Sequence, residues 1–392
     1  MSPPSRRSFL AQSASLAFAC ATGTVELAFA APPASARERR LLVLVELKGG
    51  NDGLNTLVPV GDARYYALRP RIAIARDDVI RLSDRAGLHP SLAPLLPLWE
   101  ARRLAILQGV GYPSPNLSHF RSIEIWDTAA ASDEYLEDGW LSRAFAASPR
   151  LAGFAADGVI VGSNEMGPLA GRGARAIALT DTASFQRRAR LALDASASGN
   201  RALAHIGKVE GDIRSAASRI VGAHTFQTTF PQGAFGAAIR TACQVIANPA
   251  GVGVVRVTLD GFDTHANQPN THARLLAELA HGLVALQGAL QELGRDDDTL
   301  VLTYSEFGRR PRENQTAGTD HGTASVQFAF GGHVQGGLYG AMPDLAKLDG
   351  GGNPAHALDF RAVYATVLER WWGIDAGTAL RGRFDTVPFV TS

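Results

Sequence analysis

Four apolar runs in this chain end abruptly against loops rich in polar groups. Leu41 to Leu47 (LLVLVEL) meets Gly49-Gly50-Asn51-Asp52-Gly53, and Leu104 to Val110 (LAILQGV) meets a loop through Asn116, Ser118 and His119. Val252 to Leu259 meets Asp260-Gly261-Phe262-Asp263-Thr264-His265, and the run from Thr299 meets Ser305-Glu306-Phe307-Gly308-Arg309-Arg310, continuing to Gly318-Thr319-Asp320-His321-Gly322. Short continuous apolar runs read as strands buried on both faces. Open α/β sheets take their ligands beyond the carboxyl ends of such strands. If the four strands are parallel neighbours, Asp52, Ser118, His119, Asp263, His265, Glu306, Asp320 and His321 meet at one sheet edge.

Other segments complete an α/β pattern. Leu276, Leu279, Leu283, Leu286 and Leu290 step by three and four, one apolar stripe of a helix. The Thr299 strand follows it at once, and strand–helix–strand with short connections predicts a parallel sheet. Short helices are predicted over Ala63 to Leu68, Ser91 to Arg103, Leu117 to Thr128 with Asn116 as its cap, Phe235 to Ile246, and from Asp359 to Trp372. Arg187 to Arg219 reads as helical. Strands are predicted at Val159 to Val161, Ala176 to Leu179 and Ser325 to Phe330. His205 and His224 read as surface or structural residues, and His272 and His281, off the apolar stripe, read as solvated. His333, between glycines, reads as either a rim residue or a spectator.

Composition narrows the class. The 392 residues are 46% hydrophobic and 19% charged, with a formal net charge of +1. This is a globular profile with no electrostatic case for nucleic acid or an anionic membrane. The chain has two cysteines; Cys20 falls in a leader-like segment, which leaves Cys243 without an internal disulfide partner. Ser5-Arg6-Arg7-Ser8-Phe9-Leu10, an Ala-rich run to Ala30 and the small-x-small Ala28-Phe29-Ala30 resemble a twin-arginine signal peptide. Residues 31–40 read as a linker and 41–392 as one domain. The leader run carries Gln12, Thr22, Thr24 and Glu26, too polar for a stable span. The expectation is export through the twin-arginine translocase to the periplasm or beyond, with the leader cleaved.

The candidate chemistry is metal chemistry. Carboxylate with imidazole suits Zn²⁺ or a similar ion, whereas carboxylates and hydroxyls alone suit Ca²⁺, Mg²⁺ or Mn²⁺. Asp263 and His265 are two apart and Asp320 and His321 adjacent, so each pair can face one ion; Asp260 rivals Asp263. Gly49, Gly50 and Gly53 permit tight turns, which ordinary turn chemistry also explains. Ser118 in the first turn of a helix is a candidate nucleophile or a cap. Arg309 or Arg121 is a candidate clamp for anionic oxygens.

Together the motifs LVELKGGNDGLNTLVP, NLSHFRSIEIWDT, GFDTH, SEFGRR, GTDHGT and DFRAVYATVL, in that order behind the Arg6-Arg7 leader, resemble the exported bacterial DUF1501 family over essentially the whole mature chain. That family is similar to a distant branch of the alkaline phosphatase and sulfatase superfamily. The resemblance implies a three-layer α/β fold with a mostly parallel central sheet. It matches Asp52 to the first metal ligand, Ser118 to the nucleophile, Asp263 and His265 to an Asp/His pair and His321 to a final His. Glu306 occupies a later strand end, and Phe307 stands where the superfamily usually has His. The sulfatase formylglycine signature is absent.

Two readings follow. One is a metal-dependent hydrolase of a phosphate or sulfate ester, small or polymeric, with one ion on Asp263, His265 and His321 and a second on Asp52, Glu306 and Ser118, Asp320 assisting. The other is a non-catalytic binding or scaffold protein that keeps the fold and an ion.

Overall fold

A computed structural model describes residues 40–148, 151, 153–179, 224–248 and 251–391. The contacts divide the chain into Met1–Ser35 and Ala36–Ser392, and the described residues belong to the second unit. The leader, the helix expected over 187–219 and His205 lie outside the described residues.

The strands in chain order are β1 (Leu41–Lys48), β2 (Leu57–Val58), β3 (Ile80–Arg81), β4 (Gly87–Leu88), β5 (Leu104–Gly111), β6 (Ala156–Val161), β7 (Ala176–Leu179), β8 (Val252–Asp260), β9 (Thr299–Tyr304), β10 (Gly308–Glu313), β11 (Thr319–Gly322), β12 (Ser325–Gly331), β13 (Gly337–Gly340) and β14 (Leu358–Asp359). The main sheet runs β13-β5-β12-β9-β1-β8-β6-β7, with β14 beside β5. β1 lies between β9 and β8 and is parallel to both. The helix Gln268–Glu292 therefore carries the chain from β8 across β1 to β9. Three of the four expected strands are thus parallel neighbours. The fourth, β5, is separated from β9 by β12, which is antiparallel to both. Two reversals return β5 to the direction of β9, so its carboxyl end still reaches the common edge.

Alternation along β1 builds the layers. Leu41, Val43, Val45 and Leu47 pack on one face with the helices Ala234–Ile246 and Gln268–Glu292. Leu42 and Leu44 pack on the other with the helices His119–Thr128, Trp140–Ala147 and Phe360–Thr366. A sheet strand buried on both faces with helices above and below gives the predicted three-layer architecture. Period two also puts Glu46 on the second face, where Leu42 and Leu44 supply only apolar neighbours. Burial alone would push its carboxyl up, and does; its Oε2 accepts from Arg256 Nη2 (2.7 Å) and Thr258 Oγ1 (2.8 Å) of β8.

Local expectations differ from the structure in four places. The helix expected over Ser91 to Arg103 is a 3₁₀ turn, Pro90–Leu95, followed by a short helix, Leu96–Glu100, because Pro94 and Pro97 break the ladder. The charged stretch after β9, read as loop, is the hairpin β10–β11, with Arg309 directly opposite His321. The cap of the helix His119–Thr128 is Ser118, two residues later than Asn116, the cap expected. His272 is buried and not solvated: its Nε2 lies 2.9 Å from Asn51 Oδ1. Its ring packs edge-on against Phe262 and His89, so the face it occupies is the core side of the helix.

Candidate metal centre

The turn after β1 positions the centre without entering it. Gly49 (φ +114°) and Gly50 (φ +82°) adopt a backbone that side chains rarely take. A Cβ on Gly49 would strike the Phe262–Asp263 backbone, and one on Gly50 the Phe307 ring. The tight turn leaves the Gly49 N–H donating to Glu306 Oε1 at 2.8 Å. Behind it, Ser305 Oγ donates to Leu47 O and accepts from Asn51 N. Glu306 is therefore fixed at the end of β9, with its backbone carbonyl also taken by Ser122 Oγ.

Glu306 in turn orients a histidine. His119, the first residue of its helix, places Nδ1 2.9 Å from Glu306 Oε1. A carboxylate partner makes Nδ1 the protonated nitrogen, so Nε2 carries the lone pair. That Nε2 is buried, has no hydrogen-bond partner, and lies 3.4 Å from Asp263 Oδ2. His321 repeats the arrangement. Its Nδ1 donates to Leu117 O (2.7 Å), and its Nε2 lies 3.2 Å from Asp263 Oδ1. His265 adds a third imidazole, with Nε2 2.9 Å from Asp263 Oδ1 and 3.0 Å from His321 Nε2.

These spacings are those of a coordination shell. Donors bound at roughly 2.0–2.1 Å to a tetrahedral ion stand roughly 3.3–3.4 Å apart. The separations of 2.9–3.4 Å around Asp263 are close to that. One donor atom from each of His119, Asp263 and His321 lies within 4.8 Å of the others. The residues thus fit a borderline divalent ion of the zinc type better than Ca²⁺ or Mg²⁺, because the donors are chiefly imidazole nitrogens.

Asp263 is held at the centre by Arg309. The Arg309 side chain is buried and donates to the carbonyls of Gly49, Gly50, Phe262 and Thr319 and to Asp263 Oδ1 (2.7 Å). Partial burial alone would raise the Asp263 carboxyl, but the hydrogen bond and charge of Arg309, with His321 and His265, hold it at about 2. Hydrogen bonding to Glu306 outweighs burial and raises His119, whereas burial lowers His321. Phe307, buried, forms a wall: its ring lies 4.9 Å from His119 and 4.6 Å from His321.

Several expected site residues are placed elsewhere. Asp52 is wholly buried and caps the helix Gly53–Thr56 through Oδ1. Its Oδ2 is bonded to Arg69 Nη1 (2.6 Å) and Gln268 Nε2, so both oxygens are committed away from the cluster. Arg309 has no free donor edge for a substrate oxygen. Arg121 is turned to Glu124 and to the carbonyls of Ser132 and Glu134. Ser118 is exposed, and its side chain makes no capping hydrogen bond. Asp320 is at the rim, Oδ1 3.6 Å from His265 Nδ1. Glu306 orients His119. Asp260 Oδ1 accepts from its neighbour, the Gly261 N–H, and it is Asp263 that lies among the imidazoles. Sequence reasoning brought His119 to the edge but did not assign it as a ligand. Its signal was a histidine at the helix start directly beyond a strand end.

The fold and its edge cluster define an α/β protein with a histidine-rich site whose donors could hold a divalent ion. The chain belongs to the DUF1501 family, described as a protein of unknown function, whose model matches residues 39–382. No curated protein matches it. Among solved structures it is similar to the zinc complex of the C-terminal periplasmic domain of EcEptC from Escherichia coli (11% identity, 75% of this chain and 73% of that one, TM-score 0.36). It is also similar to the lipoteichoic acid synthase LtaP from Listeria monocytogenes (8%, 89% and 76%, 0.40) and to a protein in the alkaline phosphatase superfamily from Vibrio parahaemolyticus (9%, 88% and 69%, 0.40). At this level the likeness assigns neither substrate nor metal to this chain.

Proposed function

We propose that this chain is an exported metal-dependent hydrolase of a phosphate or sulfate ester, with the ion held by His119, Asp263, His265 and His321. The observation that carries the reading is the buried, unpartnered Nε2 of His119 beside Asp263, with two further imidazoles at ligand spacing. A buried polar nitrogen without a partner is costly, and an ion removes that cost. When bound, a divalent ion there polarises an ester oxygen and neutralises charge that develops on the transferred group.

The chain's own residues prepare the site. Glu306 and Leu117 O keep the Nδ1 protons of His119 and His321 in place, which directs both Nε2 atoms inward. Arg309 keeps Asp263 ionised. Ser118, exposed immediately before His119, is the candidate nucleophile, with water as its rival; the other adjacent hydroxyl, Thr264, is buried and bonded to Gln268. Asp320 lines the outer side by His265. Export by the twin-arginine route rests on Arg6-Arg7 and the small-x-small site; among the described residues no helix is long and apolar enough to cross a membrane.

The test joins metal content to turnover. Folded protein should contain a divalent ion by elemental analysis and should hydrolyse at least one member of an aryl phosphate, phosphodiester and sulfate panel. His119→Ala and His321→Ala should each lower both. Ser118→Ala should keep the ion and abolish turnover if Ser118 attacks, and retain turnover if water does. Metal-loaded protein inert toward the whole panel would favour the binding-protein reading.

A further inference from the structure

Beside the cluster lies a cavity of about 550 Å³, a size typical of small-molecule sites. It shares His119, Asp263 and Glu306 with the centre and extends away from it under the helix His119–Thr128. Its outer wall is acidic, with Glu46, Glu124, Asp127, Glu137 and Glu165. The cation on that wall, Lys48, is already paired with Glu165 at 2.7 Å. Behind it, Arg256 engages one oxygen of Glu46, and Arg121 engages Glu124.

Two carboxyl oxygens remain unanswered. Glu46 is fully buried, yet its Oε1 has no hydrogen-bond partner; Asp127 Oδ1 is likewise buried and unpartnered. Both residues line the cavity. Buried polar atoms without partners are rare in folded proteins and call for a missing donor. Burial pushes the Asp127 carboxyl up to about 8, Arg256 opposing and Glu46, Glu165 and Glu306 reinforcing the rise.

The carboxyl groups of the wall do not converge on one point as metal ligands do. Among the described residues, His119, Asp263 and His321 are the set of three whose donor atoms converge. The carboxylates of the cavity are spread along its wall instead. That spacing suits an organic cation, whose N–H groups reach separate acceptors. Apolar surface is present too: Ile123 and Leu136 line the cavity, and the Phe120 ring at its mouth is 88% exposed. An aromatic face at the entrance of an acidic cavity is favourable for an ammonium group on an apolar stem.

We infer that this cavity binds the ammonium end of an amine-bearing substrate, with Glu46 and Asp127 accepting its N–H groups and Phe120 covering its stem. The inference takes the hydrolase reading for the other end of the molecule: the ester group sits at the cluster and the amine beyond it. The substrate class is thus a phosphate or sulfate ester of an amino alcohol or an aminated polymer, and not a simple anion.

A binding experiment tests the amine end alone. Whole, chelator-treated protein is titrated calorimetrically at low salt with phenethylammonium and with 3-phenylpropanoate, which have similar stems and opposite charge. The ammonium should bind at least about tenfold more tightly, and Asp127→Asn, which cannot ionise when the ammonium arrives, should weaken it about tenfold. The substitution is nearly isosteric, so thermal melting should stay near wild type. Should that variant misfold, exposed Glu165→Gln should still weaken the ammonium severalfold. Equal or tighter binding of the carboxylate, or unchanged ammonium affinity in the folded variants, overturns the inference. Ammonium binding without any ester turnover would remove the hydrolase and keep the amine site. Turnover of simple aryl esters without ammonium preference would do the reverse.

Discussion

Arg309 and Asp263 form the hinge of the centre: Nη2 stands 2.7 Å from Oδ1, and the rest of the guanidinium holds four backbone carbonyls from three segments of chain. The same side chain thus fixes a ligand and ties the turns after β1 and β8 to the β10–β11 hairpin. A lysine offers a point charge and cannot reproduce the fork. Arg309→Lys should lower stability by about 3 kcal/mol or more, since several buried carbonyls lose their donors. Metal content should fall with it. Urea unfolding and elemental analysis of the same preparation check this, and a variant that melts like wild type would show that the fork is dispensable.

Glu306 is the corresponding brace for His119. Glu306→Gln keeps the shape and changes the charge. Outer partners of ligating histidines typically contribute about 10- to 100-fold in metal affinity. Competition with a chelator of known strength should show a loss in that range with little change in melting of the metal-free protein. Unaltered affinity would place His119 outside the ligand set.

Two buried histidines set the response to acid. Burial lowers His89 to about 4 and His272 to about 3; near Asp52 the nearby negative charge opposes but does not overcome it. Their folded-state pKa values lie below that of an unfolded histidine, about 6.5. The unfolded chain therefore binds these protons first, and the stability they contribute is complete above pH 6.5 and lost as pH falls toward 4 and then 3. Chelator-treated protein should lose roughly 2 kcal/mol or more between pH 7 and pH 4.5. His89 Nδ1 also accepts from Ser91 N, so its protonation removes a cap. Urea midpoints that stay flat over this range would contradict the assignment.

The Gly50 turn gives a prediction of a different kind. Gly50 combines a left-handed backbone with contact against the Phe307 ring. Gly50→Ala should destabilise by roughly 1–3 kcal/mol from backbone strain alone. It should also displace Phe307 from His119 and His321 and so reduce metal occupancy. Melting and occupancy measured together check both halves.

Much of this was legible in the sequence. The strand ends and the apolar stripe of the long helix carry local periodicity, and they lie where that periodicity put them; GFDTH follows the end of β8 as expected, whereas GTDHGT, expected in a loop, is part of β11. Asp263, His265 and His321 accordingly meet. What was not legible depends on partners far along the chain. Asp52 looks like a ligand until Arg69 and Gln268 are seen to close around it, the latter 216 residues away. His119 looks incidental beside Ser118 until Glu306, 187 residues on, selects its inward nitrogen. The β10–β11 hairpin was hidden by its charges, which hydrophobic patterning reads as loop. Its alternation is real but is polar on one side and tied by Arg309 on the other.

The four imidazole and carboxylate donors come from three strand-end segments, and His321 lies 58 residues beyond Asp263. No short stretch of the unfolded chain can gather all four, so an ion held by them would enter only after β5, β8 and the β9–β11 segment have assembled. Metal loading is then a late event, and the ion acquired is the one abundant where folding finishes. If Arg6-Arg7 send the chain out already folded, the cytoplasm selects the metal and the periplasm merely uses it.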